Sequence, residues 1–218
     1  MASSCCSFGA TAEHKFNAKR AAHDLVRYRA KGPNRTTLML RDGLTEAHQL
    51  HGSLLDIGAG VGALTFELLG LGMSRAIVVE ASTAYLAAAS QEAARRGCAG
   101  ATQFVHGDFL SIASGLPDAA VVTLDRVICC YPAYVPLLEE ALRHAQLCFA
   151  FSYPRDLWRV HAALAVENGV RRLASNPFRA FVHPADQMER IVENAGFRLT
   201  SRRQTWSWCV DVHVRQSY

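Results

Sequence analysis

No stretch of this 218-residue chain approaches the roughly 20 consecutive apolar residues needed to cross a bilayer, so no membrane span is expected. The start, Met1 to Thr11, lacks a basic head and a long apolar block; it reads as a small, polar, disordered segment and not as a secretory signal. Cysteine supports neither a disulfide framework nor a zinc site: the count of seven is odd and no CxxC spacing occurs. Reduced thiols in a cytoplasmic protein are the expectation, with no metal. Dense Lys/Arg runs are missing, which disfavours nucleic acid as a partner. Repeats and low-complexity tracts are missing too. What remains is a half-hydrophobic chain with only 19% charged residues, of a length that fills one well-packed domain.

The net charge of +4 conceals an asymmetry. Residues 1–51 carry eight Lys/Arg against four Asp/Glu, residues 52–153 five against nine, and residues 154–218 ten against six. An acidic centre between basic flanks suits different ligands in the two regions, although solvated faces alone would give the same excess.

Helical spacing runs from Ala12 to Tyr28 and is broken by Lys31-Gly32-Pro33-Asn34. Thr36 or Thr37 can then cap a second helix through Leu44. Next comes Ser53-Leu-Leu-Asp-Ile-Gly-Ala-Gly-Val-Gly-Ala-Leu-Thr-Phe-Glu-Leu-Leu-Gly70, a short apolar strand, a glycine turn and a helical pattern. Four more strands follow, over 75–80, 102–106, 119–124 and 146–152, with helices over 83–97 and 135–144. Alternation of this kind argues for a parallel sheet covered on both faces. Beyond Tyr153 a helix over 156–173, an irregular stretch to His183 and a helix over 184–195 precede two strands, 197–205 and 206–214. In the last strand Trp206, Trp208, Val210, Val212 and Val214 alternate with Ser207, Cys209, Asp211, His213 and Arg215, the pattern of a half-buried strand.

Asp56-x-Gly58-x-Gly60-x-Gly62 resembles motif I of the class I S-adenosylmethionine-dependent methyltransferases. The resemblance covers residues 53–151 well and the ends loosely. It implies an α/β, Rossmann-like class I methyltransferase fold: a mostly parallel seven-stranded sheet with an antiparallel last strand and an N-terminal helical lid. Residues 1–51 would form that helical segment or lid, and residues 52–218 the methyltransferase domain, with a substrate-side insertion near 153–183. The cofactor implied is S-adenosyl-L-methionine. Carried over residue by residue, Gly58, Gly60 and Gly62 leave room for its methionine and ribose portions, and Asp56 holds the loop and the amino end. Glu80 accepts the ribose hydroxyls, Asp108 accepts from the adenine amino group, and Phe109 packs on the ring. The same glycines also read as Gly58-x-Gly60-x-x-Ala63, a dinucleotide fingerprint that leaves an NAD-dependent oxidoreductase as the alternative. Asp56 before the glycines and the Gly107-Asp108-Phe109 turn favour the methyl donor, and the acidic centre suits a sulfonium.

The acceptor belongs near the end of the fourth strand, at Asp125-Arg126-Val127-Ile128-Cys129-Cys130-Tyr131. Asp125 is the candidate base, Arg126 a partner for it or for an anionic substrate, and Tyr131 a border of the methyl group. A structural Asp125–Arg126 ion pair and a packing Tyr131 are the alternatives. The adjacent Cys129 and Cys130 read as buried, inert thiols. Asn-Pro-Pro-Tyr, the mark of many amino-group methylating enzymes, does not occur here. Tyr28, Arg155, Arg159 and His183, on the basic flanks and among aromatics, are the candidate substrate-binding residues. The stretch Tyr28-x-x-Lys-Gly-Pro-Asn-Arg-Thr-Thr is similar to the segment before motif I in tetrapyrrole carboxyl methyltransferases, over too short a span to assign a substrate. The expected activity is methyl transfer to a small organic acceptor, anionic or aromatic, at oxygen. A non-catalytic binding protein that keeps the fold is the third reading. Composition says nothing about oligomeric state.

Overall fold

The computed structural model describes residues 5–216. Three helices come first: α1 (Cys5–Lys15), α2 (Ala18–Lys31) and α3 (Arg35–Glu46). The helical spacing from Ala12 to Tyr28 is divided at Asn17, whose side chain accepts from Arg20 N and caps α2. Helix α1 replaces the expected disordered start from Cys5 onward; residues 1–4 lie outside the described residues. Asn34 caps α3 in place of Thr36 or Thr37, its Oδ1 accepting from both of their backbone N–H groups at 3.1 and 3.2 Å.

Strand β1 (Ser53–Ile57) leads through the glycine turn into α4 (Ala63–Gly70). Then follow β2 (Arg75–Glu80), α5 (Thr83–Arg96), β3 (Thr102–His106), the short α6 (Phe109–Ile112), β4 (Ala119–Leu124), α7 (Tyr134–His144) and β5 (Ala145–Pro154). Helices α8 (Trp158–Leu173) and α9 (Ala185–Asn194) precede β6 (Phe197–Gln204) and β7 (Trp208–Arg215). The strands form one seven-stranded sheet in the order β3-β2-β1-β4-β5-β7-β6. Pairings among β1 to β5 are all parallel, and β7 runs antiparallel to both β5 and β6. This is the Rossmann-like methyltransferase arrangement that the motif implied.

Successive residues of β1 serve opposite faces, as the strand period demands. Leu55 and Ile57 join a core with residues of α7 and α9, whereas Leu54 joins Leu40 and Leu44 of α3 and Leu64 and Leu68 of α4. Helix α3 is thus built into the sheet's packing. Its contact with β7 is close because Gly43 has no side chain: a Cβ there would lie 2.8 Å from Val212 Cγ2. Gly43→Ala is therefore expected to cost about 1–2 kcal/mol through overpacking, read as a lower urea midpoint at unchanged slope.

The alternation in β7 suggested one wet face, but both faces are buried: Val210 and Val212 pack with Leu40 and Leu44 of α3, and on the other face Cys209 joins the core of Leu55 and Ile57 and His213 lies against Phe151. The buried Asp211 carboxylate is held by Arg202 through Nε at 2.8 Å and Nη2 at 2.9 Å, and by Tyr153 Oη at 2.8 Å. His213 is fully buried, has no hydrogen-bond partner at either ring nitrogen among the described residues and stacks on Phe151 at 5.8 Å. Burial holds its pKa down at about 4. The unfolded chain, with histidine near 6.5, then binds a proton that the fold refuses between those values, so stability falls as pH drops through that window. His213→Phe is expected to remove this loss. Its melting temperature should gain on that of the wild type progressively from pH 6.5 to 4.

Candidate functional site

The carboxyl ends of β1, β2 and β4 converge on a cavity of about 340 Å³, within the size range of ligand sites. Its floor is the loop after β1. Gly58, Gly60 and Gly62 all have positive φ, at 65°, 59° and 80°. Two of them are also fixed by packing: a Cβ on Gly58 would meet Val127 Cγ2 at 2.6 Å, and one on Gly62 the Phe66 ring at the same distance. Gly60 differs, since a Cβ there would only touch Tyr85 at 3.7 Å. The left-handed backbone, not crowding by the protein, selects glycine at that position and leaves the loop open to a ligand.

Glu80 anchors this loop. It is buried at the end of β2; Oε2 accepts from Gly60 N at 2.9 Å and Oε1 from Ser82 N at 3.0 Å. Burial raises its pKa against the pull of these N–H groups. Asp56 sits beneath the loop, with Oδ2 accepting from Thr65 Oγ1 at 2.6 Å and Oδ1 from Thr123 Oγ1 at 2.8 Å. These bonds tie β1 to α4 and β4. Burial pushes Asp56 up to about 6, the two hydroxyls acting in the opposite sense.

The structure separates the two residues expected at the adenine. Phe109 lines the cavity but is almost wholly core, edge-on to His144 at 5.9 Å. Asp108 lies outside the cavity lining, its Oδ1 accepting from Tyr131 Oη at 2.5 Å. Burial and that carboxylate keep the Tyr131 phenol protonated, its pKa far above the ordinary value.

At the end of β4, Asp125 and Arg126 both line the cavity, yet they form no ion pair with each other. Asp125 Oδ2 accepts from Thr37 Oγ1 at 2.5 Å and Oδ1 from Ser152 Oγ at 2.7 Å, joining α3 to β4 and β5. Arg126 holds a left-handed backbone, φ 64°, with its N–H donated to Ser152 Oγ at 2.7 Å. Its guanidinium lies 5.0 Å over the Trp208 ring and has no carboxylate partner among the described residues. A non-glycine residue in that conformation needs a compensating constraint, here the Ser152 bond and the Trp208 stack. Cys129 and Cys130 reach the cavity wall, their sulfurs 3.8 Å apart.

Of the four residues expected to hold substrate, only Tyr28 lines the cavity. It is buried, its hydroxyl has no partner among the described residues, and Arg96 lies 4.8 Å over its ring. Burial raises the phenol to about 12. The other three point elsewhere. Arg155 Nη1 donates to Thr205 O at 3.0 Å, Arg159 is exposed on α8, and His183 is buried against Tyr134 with Nε2 3.2 Å from Ile128 O. Burial lowers the His183 pKa. The cavity wall facing the glycine loop comes instead from Lys15, Phe16, Arg27, Arg171, Phe178 and Trp208. Phe178 sits between two cations, Lys15 Nζ at 5.3 Å and Arg171 Cζ at 5.1 Å from its ring. Helical spacing in α1 and α2 does not say which face turns inward, so Lys15 and Arg27 carried no signal of their own.

A family model described as "Methyltransferase domain" matches residues 54–147, the span from β1 into β5. The chain therefore carries a methyltransferase domain, in agreement with the class I S-adenosylmethionine-dependent methyltransferase resemblance of its sequence. The domain and the fold support a methyltransferase that uses S-adenosylmethionine, over the nicotinamide alternative. No curated protein sequence matches it. Among solved structures it is similar to magnesium protoporphyrin IX methyltransferase from Synechocystis with SAH bound, at 19% identity and TM-score 0.72, covering 94% of this chain and 98% of that one. An O-methyltransferase family protein from Burkholderia thailandensis gives 17% identity and TM-score 0.68, covering 93% of this chain and 64% of that one. An O-methyltransferase family 2 protein from Planctomyces limnophilus, in complex with apigenin, gives 14% identity and TM-score 0.60 over 76% and 51% of the two chains. At these identities the likeness is one of fold. The open Gly60 backbone and the carboxylates at the ends of β1 and β2 fit a cationic, hydroxyl-bearing cofactor, as the family requires.

Proposed function

We propose that this methyltransferase acts on a small, planar organic acid and methylates a carboxylate oxygen. Support comes from which charges in the cavity lack partners. Every carboxylate on its lining is engaged: Asp24 by Tyr85 Oη, Asp56 and Asp125 by hydroxyls, Glu80 by backbone N–H groups, Glu167 by Arg171. The lining contains no histidine. Lys15, Arg27 and Arg126, by contrast, have no carboxylate partner among the described residues, and two of them sit on aromatic faces. A cavity with spare cations and no spare base suits an acceptor that is already an anion. An alcohol or phenol would need its proton removed; a carboxylate would not.

S-adenosylmethionine, when bound, supplies an electrophilic methyl group. The chain's own contribution is placement. Glu80 and Asp56 fix the glycine loop through their hydrogen bonds, and Glu80 offers its outer lone pairs to hydroxyls. Asp108, bonded to the Tyr131 phenol at the rim, is the proposed acceptor for an amino group. Arg126, its plane set by Trp208, pairs with a carboxylate, and Phe178 with its two cations receives a flat ring. Helices α1, α2 and α8 exclude water from above, in a cytoplasmic enzyme with reduced thiols. The test is transfer of a labelled methyl group to a panel of aromatic carboxylic acids, their amides and matched phenols. Alkali-labile label on the acids alone is expected, since methyl esters hydrolyse in base. Label confined to phenols or amines would overturn the carboxylate assignment.

A further inference from the structure

Helix α8 carries an apolar face on which none of the described residues packs. Trp158, Ala162, Ala165, Val166, Gly169 and Leu173 recur at spacings of three and four, so they share one side of the helix. All six are exposed, Trp158 by 81% and Leu173 by 89%, and Val170 beside them is exposed as well. Only Val160 of the sixteen residues is buried. The opposite side is used: Leu164, Glu167 and Arg171 line the cavity. A second large exposed aromatic lies close by. Arg155 N and Nη1 bond to Ser207 O and Thr205 O at 2.9 and 3.0 Å, which brings the start of α8 to the β6–β7 turn that carries Trp206, 68% exposed. Pro154 and Trp208, at the roots of these two segments, line the cavity. Monomeric proteins seldom expose apolar side chains in such a group without a use for them.

Charge selects the occupant. Arg159 and Arg172 flank the apolar stripe, both exposed and neither side chain in an ion pair or hydrogen bond among the described residues. A second copy of the chain laid on this face would set arginines against arginines. A sheet of anionic headgroups neutralises them, accepts the Trp158 and Trp206 indoles at its polar boundary and buries Leu173 and Val166 below it. We propose that α8, with the β6–β7 turn, docks the enzyme on the surface of an anionic bilayer. No helix among the described residues is long and apolar enough to cross a membrane, so the contact lies in the plane of the interface. This docking stands or falls independently of the carboxylate acceptor, because its test does not use turnover.

The purified full chain is floated with vesicles of phosphatidylcholine alone and of phosphatidylcholine mixed equally with phosphatidylserine. Floating with the mixed vesicles only, accompanied by a blue shift of tryptophan emission, is expected. Trp158→Ser combined with Leu173→Ser should lower the bound fraction about tenfold, given the apolar surface removed. Arg159→Gln combined with Arg172→Gln should lower it by about the same factor or more, and salt should mimic that effect. All four positions are exposed, so circular dichroism and S-adenosylhomocysteine affinity should match the wild type. Wild-type protein that stays with neither vesicle overturns the proposal. So does a wild-type dimer, seen by light scattering, that the Trp158→Ser, Leu173→Ser protein does not form. Equal binding to both vesicle types overturns the part assigned to Arg159 and Arg172.

Discussion

Glu80→Ala is expected to weaken binding of S-adenosylhomocysteine about a hundredfold while the fold persists. The residue acts twice. Its Oε2 orders Gly60 from a distance of 2.9 Å, and the remaining lone pairs of the same carboxylate are the proposed acceptors for two hydroxyls. A hydrogen bond to a charged group contributes about 1.5–3 kcal/mol. Losing one directly and leaving the Gly60 N–H without an acceptor together come to about 2.7 kcal/mol, a factor of about a hundred. Calorimetric titration measures it. Glu80→Gln separates the contributions: an amide oxygen can still accept from Gly60 N, so the loop is kept and the loss should be about tenfold. A Glu80→Gln protein that binds as the wild type does would mean that Glu80 serves the loop only.

Asp56→Asn makes an instructive contrast. Both oxygens of Asp56 are already occupied by Thr65 and Thr123. The carboxylate is buried, with its pKa raised to about 6, so at neutral pH the fold carries a cost for the charge that it does not carry once the group is protonated. Stability from this site is present below the unfolded value and lost as pH rises through about 6. An asparagine removes that dependence, and in the orientation whose amide nitrogen meets a threonine oxygen it keeps a hydroxyl bond on each side. The variant should therefore gain in melting temperature over the wild type as pH rises from 5 to 7, at little loss of cofactor affinity.

What was legible in the sequence follows from the range of the interactions. Strands β1 to β4 and their helices are marked by local signals, apolar runs ended by Gly58, Gly97 or Gly107, and the structure keeps those bounds to within a few residues. The antiparallel last strand came only through the family resemblance, and the order of the sheet, with β7 between β5 and β6, came only from the structure. The two-sided burial of β7 had no local signal at all, because Tyr153 and Arg202, which satisfy Asp211, lie 58 and 9 residues away in sequence. The same reach explains Asp125. Its neighbour Arg126 looked like its partner, but Thr37, 88 residues earlier, and Ser152 take its oxygens. Arg155, Arg159 and His183 were grouped by their place on a basic flank among aromatics, and the composition of a helix does not reveal which of its faces looks inward. Helix α8 turns Glu167 and Arg171 to the cavity and Arg159 to solvent.

Arg126 is where the site departs furthest from an ordinary ion-pair arrangement, and Arg126→Met tests its assigned role. Methionine keeps much of the apolar volume over Trp208 but removes the charge and the fork of donors. A charge-assisted bidentate pair with a carboxylate, shielded from water by the cavity, is worth about 2–3 kcal/mol, so kcat/KM for the acid acceptor should fall about a hundredfold. Affinity for S-adenosylhomocysteine should stay within about twofold, because Arg126 touches none of the groups that order the glycine loop. Arg126→Lys should recover only part of the loss, since a lysine ammonium keeps the charge without the planar fork. The left-handed backbone at position 126 persists in all three proteins, so its strain cancels from the comparison. If the amide of the acceptor loses as much as the acid does in Arg126→Met, the residue shapes the cavity and does not read the carboxylate. If the acid alone loses, the unpaired guanidinium is its binding site.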